Sequence, residues 1–106
     1  MKIKLIKFKR VKSTSDIAIK LIKSNKVQPT IISSEKQSRG RGRRGKKWIS
    51  DKGNLFFSIF FIINTKIQIS RLVISNLRII KKILSKYIKS KIKIKRPNDI
   101  TVNKKK

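Results

Sequence analysis

The chain has 106 residues, of which 31 are Lys or Arg against 4 Asp or Glu, a formal net charge of +27. It contains neither cysteine nor histidine, which excludes disulfides, thiol nucleophiles, thiolate metal sites and an imidazole base. The length bounds it to one small domain at most, whose modest burial would leave it marginal alone.

So large a positive charge opposes compaction and favours polyanionic partners, so a nucleic-acid binder is the first reading. The lysines are nevertheless spread from Lys2 to Lys106, and stretches such as Lys2-Ile3-Lys4-Leu5 use lysine where any polar residue would serve. An AT-rich genome would produce the same Lys- and Ile-heavy composition. Charges interrupt every N-terminal apolar run, so no signal peptide is expected, and Leu55–Ile63 is too short to span a bilayer. A cytoplasmic protein without membrane contact is the expectation.

Met1–Phe8 alternates roughly between basic and apolar residues and reads as an edge strand. Ser13-Thr14-Ser15-Asp16 is a helix start, with Ser13 or Thr14 as cap and Asp16 in the first turn. The helix Asp16–Ser24 puts Ile17, Ala18, Leu21 and Ile22 on one face, and Asn25 to Pro29 ends it. Thr30–Ser34 is a short β-branched strand. Glu35–Lys52 is a polar loop without periodicity. Asn54–Ile63 is a nearly continuous apolar run, expected to be a strand buried on both faces. Ser70–Lys89 is helical, with Val73, Leu77, Ile80, Leu84 and Ile88 at helical spacing. Lys91–Lys95 alternates as a strand, Pro97-Asn98-Asp99 turns, Ile100–Val102 is another strand and Asn103-Lys104-Lys105 another turn. The order β-α-β-loop-β-α-β-β predicts an α+β fold, a mixed β-sheet with helices packed on it.

The long loop carries the strongest chemical signal. Gly40-Arg41-Gly42-Arg43-Arg44-Gly45 sets three arginines among three glycines, and Trp48 closes the run. Glycine leaves backbone N–H groups accessible and arginine offers a planar fork for carboxylate or phosphate. An isolated tract of this type would touch RNA through charge alone. This one occurs once, between two core strands, which is where a ligand-closing loop belongs. It is not a Walker loop, because Lys47, not a hydroxyl residue, follows Gly45-Lys46. Asp99, one of only 4 acids, suits bound cations or a metal ion at a phosphate, although a plain hairpin turn, taken alone, explains it better.

Ser13-Thr14, Gln37, the Gly40–Gly45 run, Trp48, Ser50, Gly53-Asn54-Leu55 and Lys95 to Asp99 occur in the order found in the biotin protein ligase family, which the chain resembles from about Phe8 to its end. It departs from the family at Ser15, where Asn is usual, and at Arg96, where an aromatic is usual. Counted from Asn98, the family's essential lysine falls on Lys106. The resemblance implies the front part of a ligase catalytic domain, truncated after Lys106 and without an N-terminal DNA-binding domain.

It also implies an activity. Biotin and ATP would form biotinyl-5′-AMP, and a lysine of the biotin carboxyl carrier protein of acetyl-CoA carboxylase would then accept the biotinyl group. Ser13, Thr14, Ser15 and Gln37 would orient biotin, with Gly42 beside them. Arg41 and Arg43 would hold its carboxylate and the α-phosphate, and Lys106 would neutralise charge between the reactants. Gly40, Arg43, Arg44, Gly45 and Trp48 would close on the nucleotide, while Asn98 and Asp99 would serve its phosphates through Mg2+. The resemblance leaves a homodimer open. Non-specific nucleic-acid binding is the alternative expectation from charge.

Overall fold

The structure is a computed structural model and describes residues 2–26, 28–63 and 66–106. The chain divides into two compact units, Met1–Ile63 and Asn64–Lys106.

In the first unit β1 (Lys4–Val11), α1 (Thr14–Lys23), β2 (Thr30–Gln37) and β3 (Phe56–Phe60) form a three-stranded sheet in the order β1-β2-β3 with one helix against it. β1 and β2 run parallel, with Lys4 opposite Thr30 and Val11 opposite Gln37. Parallel neighbours need a crossover, and α1 supplies it. β3 returns antiparallel, from Thr30 opposite Phe60 to Ser34 opposite Phe56. The expected edge strand therefore exists, shifted from Met1–Phe8 to Lys4–Val11; Met1 itself lies outside the described residues.

α1 begins two residues earlier than its apolar periodicity indicates, at Thr14 rather than Asp16, because the cap decides the start. Ser13 is the N-cap, its hydroxyl accepting the Asp16 backbone N–H at 3.3 Å. Ala18 is buried beneath the helix, Ile17 and Leu21 are half-buried, and Ile22 is exposed. Ile32, at the middle of the central strand, is fully buried and centres this small core with Ala18 and Phe56. The break expected at Asn25 to Pro29 includes Val27, which lies outside the described residues.

β2 is longer than its β-branched stretch. It runs on to Gln37 because the register with β1 continues to that residue, so Glu35, Lys36 and Gln37 are strand rather than loop. The expected strand Asn54–Ile63 shortens to Phe56–Phe60, and burial on both faces does not hold. β3 is the last strand of the described sheet, with Phe57 48% and Ile59 45% exposed while Phe56 is buried.

In the second unit α2 (Ile69–Leu84) packs on a hairpin of β4 (Ile92–Lys95) and β5 (Asp99–Val102). Leu77 and Ile92 are its buried apolar residues. The helix stops at Leu84 rather than Lys89, and Ser85 closes it with its N–H on the Lys81 carbonyl. Ile80, expected on the apolar face, is exposed. Asp99 opens β5 opposite Lys95 rather than closing the turn. Asn103 and Lys104 take positive φ of 52° and 67°, making the expected turn after β5. No helix among the described residues is long and apolar enough to cross a membrane.

Candidate ligand site around the glycine–arginine loop

The loop after β2 is an ordered hairpin rather than a featureless segment. The Trp48 backbone N–H donates to the Gly40 carbonyl at 2.8 Å and the Gly42 N–H to the Lys46 carbonyl at 2.6 Å, while Arg41 bridges to Lys47. Its tip is a single 3-10 turn, Arg43–Gly45, where Arg44 and Gly45 hold positive φ of 55° and 74°. That left-handed geometry suits glycine and strains arginine. The expectation that the loop's glycines leave their N–H groups open is thus corrected at Gly42, whose N–H is used inside the hairpin.

Gly40 is buried and tightly enclosed. A Cβ there would lie 2.5 Å from the Trp48 carbonyl oxygen and 3.0 Å from Gln37 Nε2, with the Ser50 hydroxyl also in the way. Glycine is needed at this position for close backbone approach, not for φ.

Gln37 fastens the hairpin to the helix start. Its Oε1 accepts the Thr14 backbone N–H at 2.8 Å, and its Nε2 donates to Ser50 Oγ at 3.0 Å. Ser50 in turn donates to the Trp48 carbonyl at 3.1 Å. On the other side of Thr14, its Oγ1 lies 2.8 Å from Ser58 Oγ, which is 3.3 Å from Ser15 Oγ. Ser13, Thr14, Ser15 and Gln37, chosen from sequence as one binding group, are therefore together in space with Ser58 added. Ser58 was missed; its signal was a lone hydroxyl inside the apolar run of β3.

Arg41 leaves the hairpin to meet Asp16 in the first turn of α1, Nη2 to Oδ1 2.5 Å, with both side chains half exposed. Arg43, Arg44, Gly45 and Trp48 are exposed along the hairpin. The outer flank of the loop opens as a cleft of about 340 Å³ where Arg10, Lys36, Arg39 and Lys47 surround Trp48 and Ser50. Asn98, Asp99 and Lys106 belong to the second unit, where Lys106 Nζ reaches Asp99 Oδ2 at 3.3 Å. Among the described residues no three carboxylates gather as a metal cage, and the Asp99 carboxylate already faces a cation. Asp99 therefore offers a single carboxylate, and a Mg2+ held there would take its remaining ligands from phosphate oxygens and water.

A glycine–arginine hairpin thus stands beside a hydroxyl-rich helix start, on a mixed sheet within an α+β fold. The chain belongs to the biotin/lipoate A/B protein ligase family, whose model matches residues 7–106. The fold is that of biotin ligase catalytic domains. It is similar to a biotin acetyl coenzyme A carboxylase synthetase from Helicobacter pylori with bound biotinylated ATP, at TM-score 0.79 and 24% identity, covering 96% of this chain and 50% of that one. Against a biotin protein ligase from Aquifex aeolicus in complex with biotin and ATP the values are 0.76 and 30%, covering 92% and 40%. Against a biotin protein ligase from Leishmania major in complex with biotinyl-5-AMP they are 0.71 and 20%, covering 94% and 47%. The chain thus spans half or less of the length of these proteins.

Proposed function

We propose that the chain carries the biotin- and adenylate-binding half of a biotin protein ligase, acting on biotin rather than lipoate and serving the biotin carboxyl carrier protein of acetyl-CoA carboxylase. The carrying observation is the Gln37 bridge, which ties the start of α1 to the base of the glycine–arginine hairpin. Residues distant in sequence then form one polar surface for a ring system and a carboxylate.

In the first step a biotin carboxylate oxygen attacks the α-phosphorus of ATP. The bond from that phosphorus to the β-bridging oxygen breaks, and pyrophosphate leaves. In the second, the carrier lysine amine attacks the biotinyl carbonyl carbon, the acyl–oxygen bond breaks, AMP leaves and the amine proton passes to solvent. Both steps concentrate negative charge on oxygen, so fixed cations and donors are what the protein must supply. That is chemistry open to a chain without His or Cys. Thr14, Ser15, Ser58 and Gln37 orient the biotin rings, with the Ser13 cap setting the helix start and Gly42 the path of the hairpin. Arg41 and Arg43 hold the carboxylate and α-phosphate, and Lys106 balances charge in the transition state. Gly40, Arg44, Gly45 and Trp48 form the wall that shields the mixed anhydride from water, and the resemblance gives Asn98 and Asp99 to the nucleotide phosphates.

Calorimetric titration of the chain with biotin, lipoate, ATP and a non-hydrolysable biotinyl-adenylate analogue tests this reading. Binding of biotin and the analogue with lipoate excluded is expected; silence toward every one of the four sinks it. The cationic cleft beside Trp48 favours a second reading, charge-driven nucleic-acid binding, whose affinity must fall steeply with added salt.

A further inference from the structure

Acids are scarce in this chain, 4 against 31 bases, yet one of them stands at the site. Asp16 is fixed in the first turn of α1, where the Ser13 cap takes its backbone N–H. Its carboxylate meets Arg41, the first arginine of the hairpin, across 25 residues of sequence, at 2.5 Å. The same turn carries Thr14 and Ser15, the hydroxyls that join Ser58. A long arginine side chain in a loop samples many rotamers, and fixing it in advance removes that cost from ligand binding. The contact places Nη2 against Asp16 Oδ1, and a guanidinium has five N–H donors, more than one carboxylate can use, so it can serve a second oxyanion at the same time.

We propose that Asp16 is a positioning residue for the loop. It draws the Arg41 guanidinium to the first turn of α1, pinning the hairpin's leading end and presenting the remaining donors to a ligand carboxylate. The pinning rests on the Asp16–Arg41 contact; only its consequence for biotin rests on the proposed function. The base of the hairpin is also held by Gln37 and Ser50 and by backbone bonds from Ser38 to Val11 and from Arg39 to Lys12; Asp16 adds a side-chain tie at Arg41, the residue after Gly40.

The test has a ligand-free arm and a biotin arm, on the full chain. In the first, an arginine-specific protease is added at low salt and early cleavage after Arg43 is followed by mass spectrometry, with cleavage after Arg78 in α2 as the internal control. Asp16→Asn is expected to speed cleavage after Arg43 about twofold to fivefold, the range for a half-exposed ion pair, with Arg78 unchanged and Asp16→Glu close to wild type. In an Arg41→Gln background the same substitution must add nothing. Equal rates for wild type and Asp16→Asn, or effects that multiply in the double variant, overturn the proposal. In the second arm Asp16→Asn weakens biotin binding by a similar factor, and Asp16→Glu restores it. Should wild type bind no biotin, the ligase reading fails, while the protease rates still decide the role of Asp16.

Discussion

Gln37 Oε1 and the Thr14 backbone N–H meet at 2.8 Å, although 23 residues separate them. The bond spans a helix, a connection and a strand, and it satisfies an N–H at the start of α1 that no helical carbonyl can reach. Because the other end of the same amide holds Ser50, one side chain sets the spacing between helix start and loop base.

Replacing Gln37 separates its two ends. Gln37→Ala leaves the Thr14 N–H without its acceptor and is expected to cost about 1–3 kcal/mol. Gln37→Glu keeps that acceptor but sets an oxygen against Ser50 Oγ, whose own proton goes to the Trp48 carbonyl. It is expected to cost less in stability yet shift the emission of the single tryptophan, Trp48. Urea unfolding followed by far-ultraviolet circular dichroism and by tryptophan fluorescence separates the two. An unchanged spectrum for Gln37→Glu would contradict the bridge.

Gly40→Ala forces a methyl group against three neighbours at once, the Ser50 hydroxyl, the Trp48 carbonyl and the Gln37 amide. A loss of about 1–3 kcal/mol is expected, the range for overpacking. Adding Ser50→Ala removes only one of the neighbours, the hydroxyl, so the double variant should not recover wild-type stability. Full recovery in thermal melts would show that the Trp48 carbonyl is not in the way.

Ser58→Ala removes the hydroxyl shared by Thr14 and Ser15. Ser58 is half-buried on the face turned toward α1, and the loss of its hydroxyl contacts should change stability by no more than about 1 kcal/mol. The expected effect lies in ligand recognition, a severalfold loss of biotin affinity by calorimetry with an unchanged melting profile. A large stability loss with affinity intact would assign Ser58 to the core instead.

Ile32 is fully buried at the centre of the first unit. Ile32→Ala should cost about 2–5 kcal/mol and Ile32→Val about 0.5–1.5 kcal/mol. Against a marginal fold the first substitution leaves most of the chain unfolded at room temperature, and circular dichroism would register it directly. Native-like spectra for Ile32→Ala would mean that the core lies elsewhere.

The order of the elements was legible because caps and periodicity are local. Ser13 announced α1, and the spacing of Val73, Leu77 and Leu84 announced α2. Strand ends were not legible, because β2 owes Lys36 and Gln37 to pairing with Arg10 and Val11, and pairing is not written in a short window. The continuous apolar run at β3 suggested two covered faces, yet Phe57 and Ile59 stand half exposed, because the run specifies hydrophobicity but not what lies beside it. The residues of the candidate site were legible as a motif in order. Its geometry was not, since the Asp16–Arg41 contact and the Gln37 bridge depend on where the sheet brings the loop.

The open side of β3 has a colloidal consequence. Phe57 and Ile59 there, with Leu55 beside them, are adhesive patches on particles that each carry +27. Mutual repulsion holds such particles apart only over a distance that shrinks as ions are added. Purified chain should therefore stay dispersed in dilute buffer and cloud as ionic strength rises, the reverse of a protein whose association is driven by opposite charges.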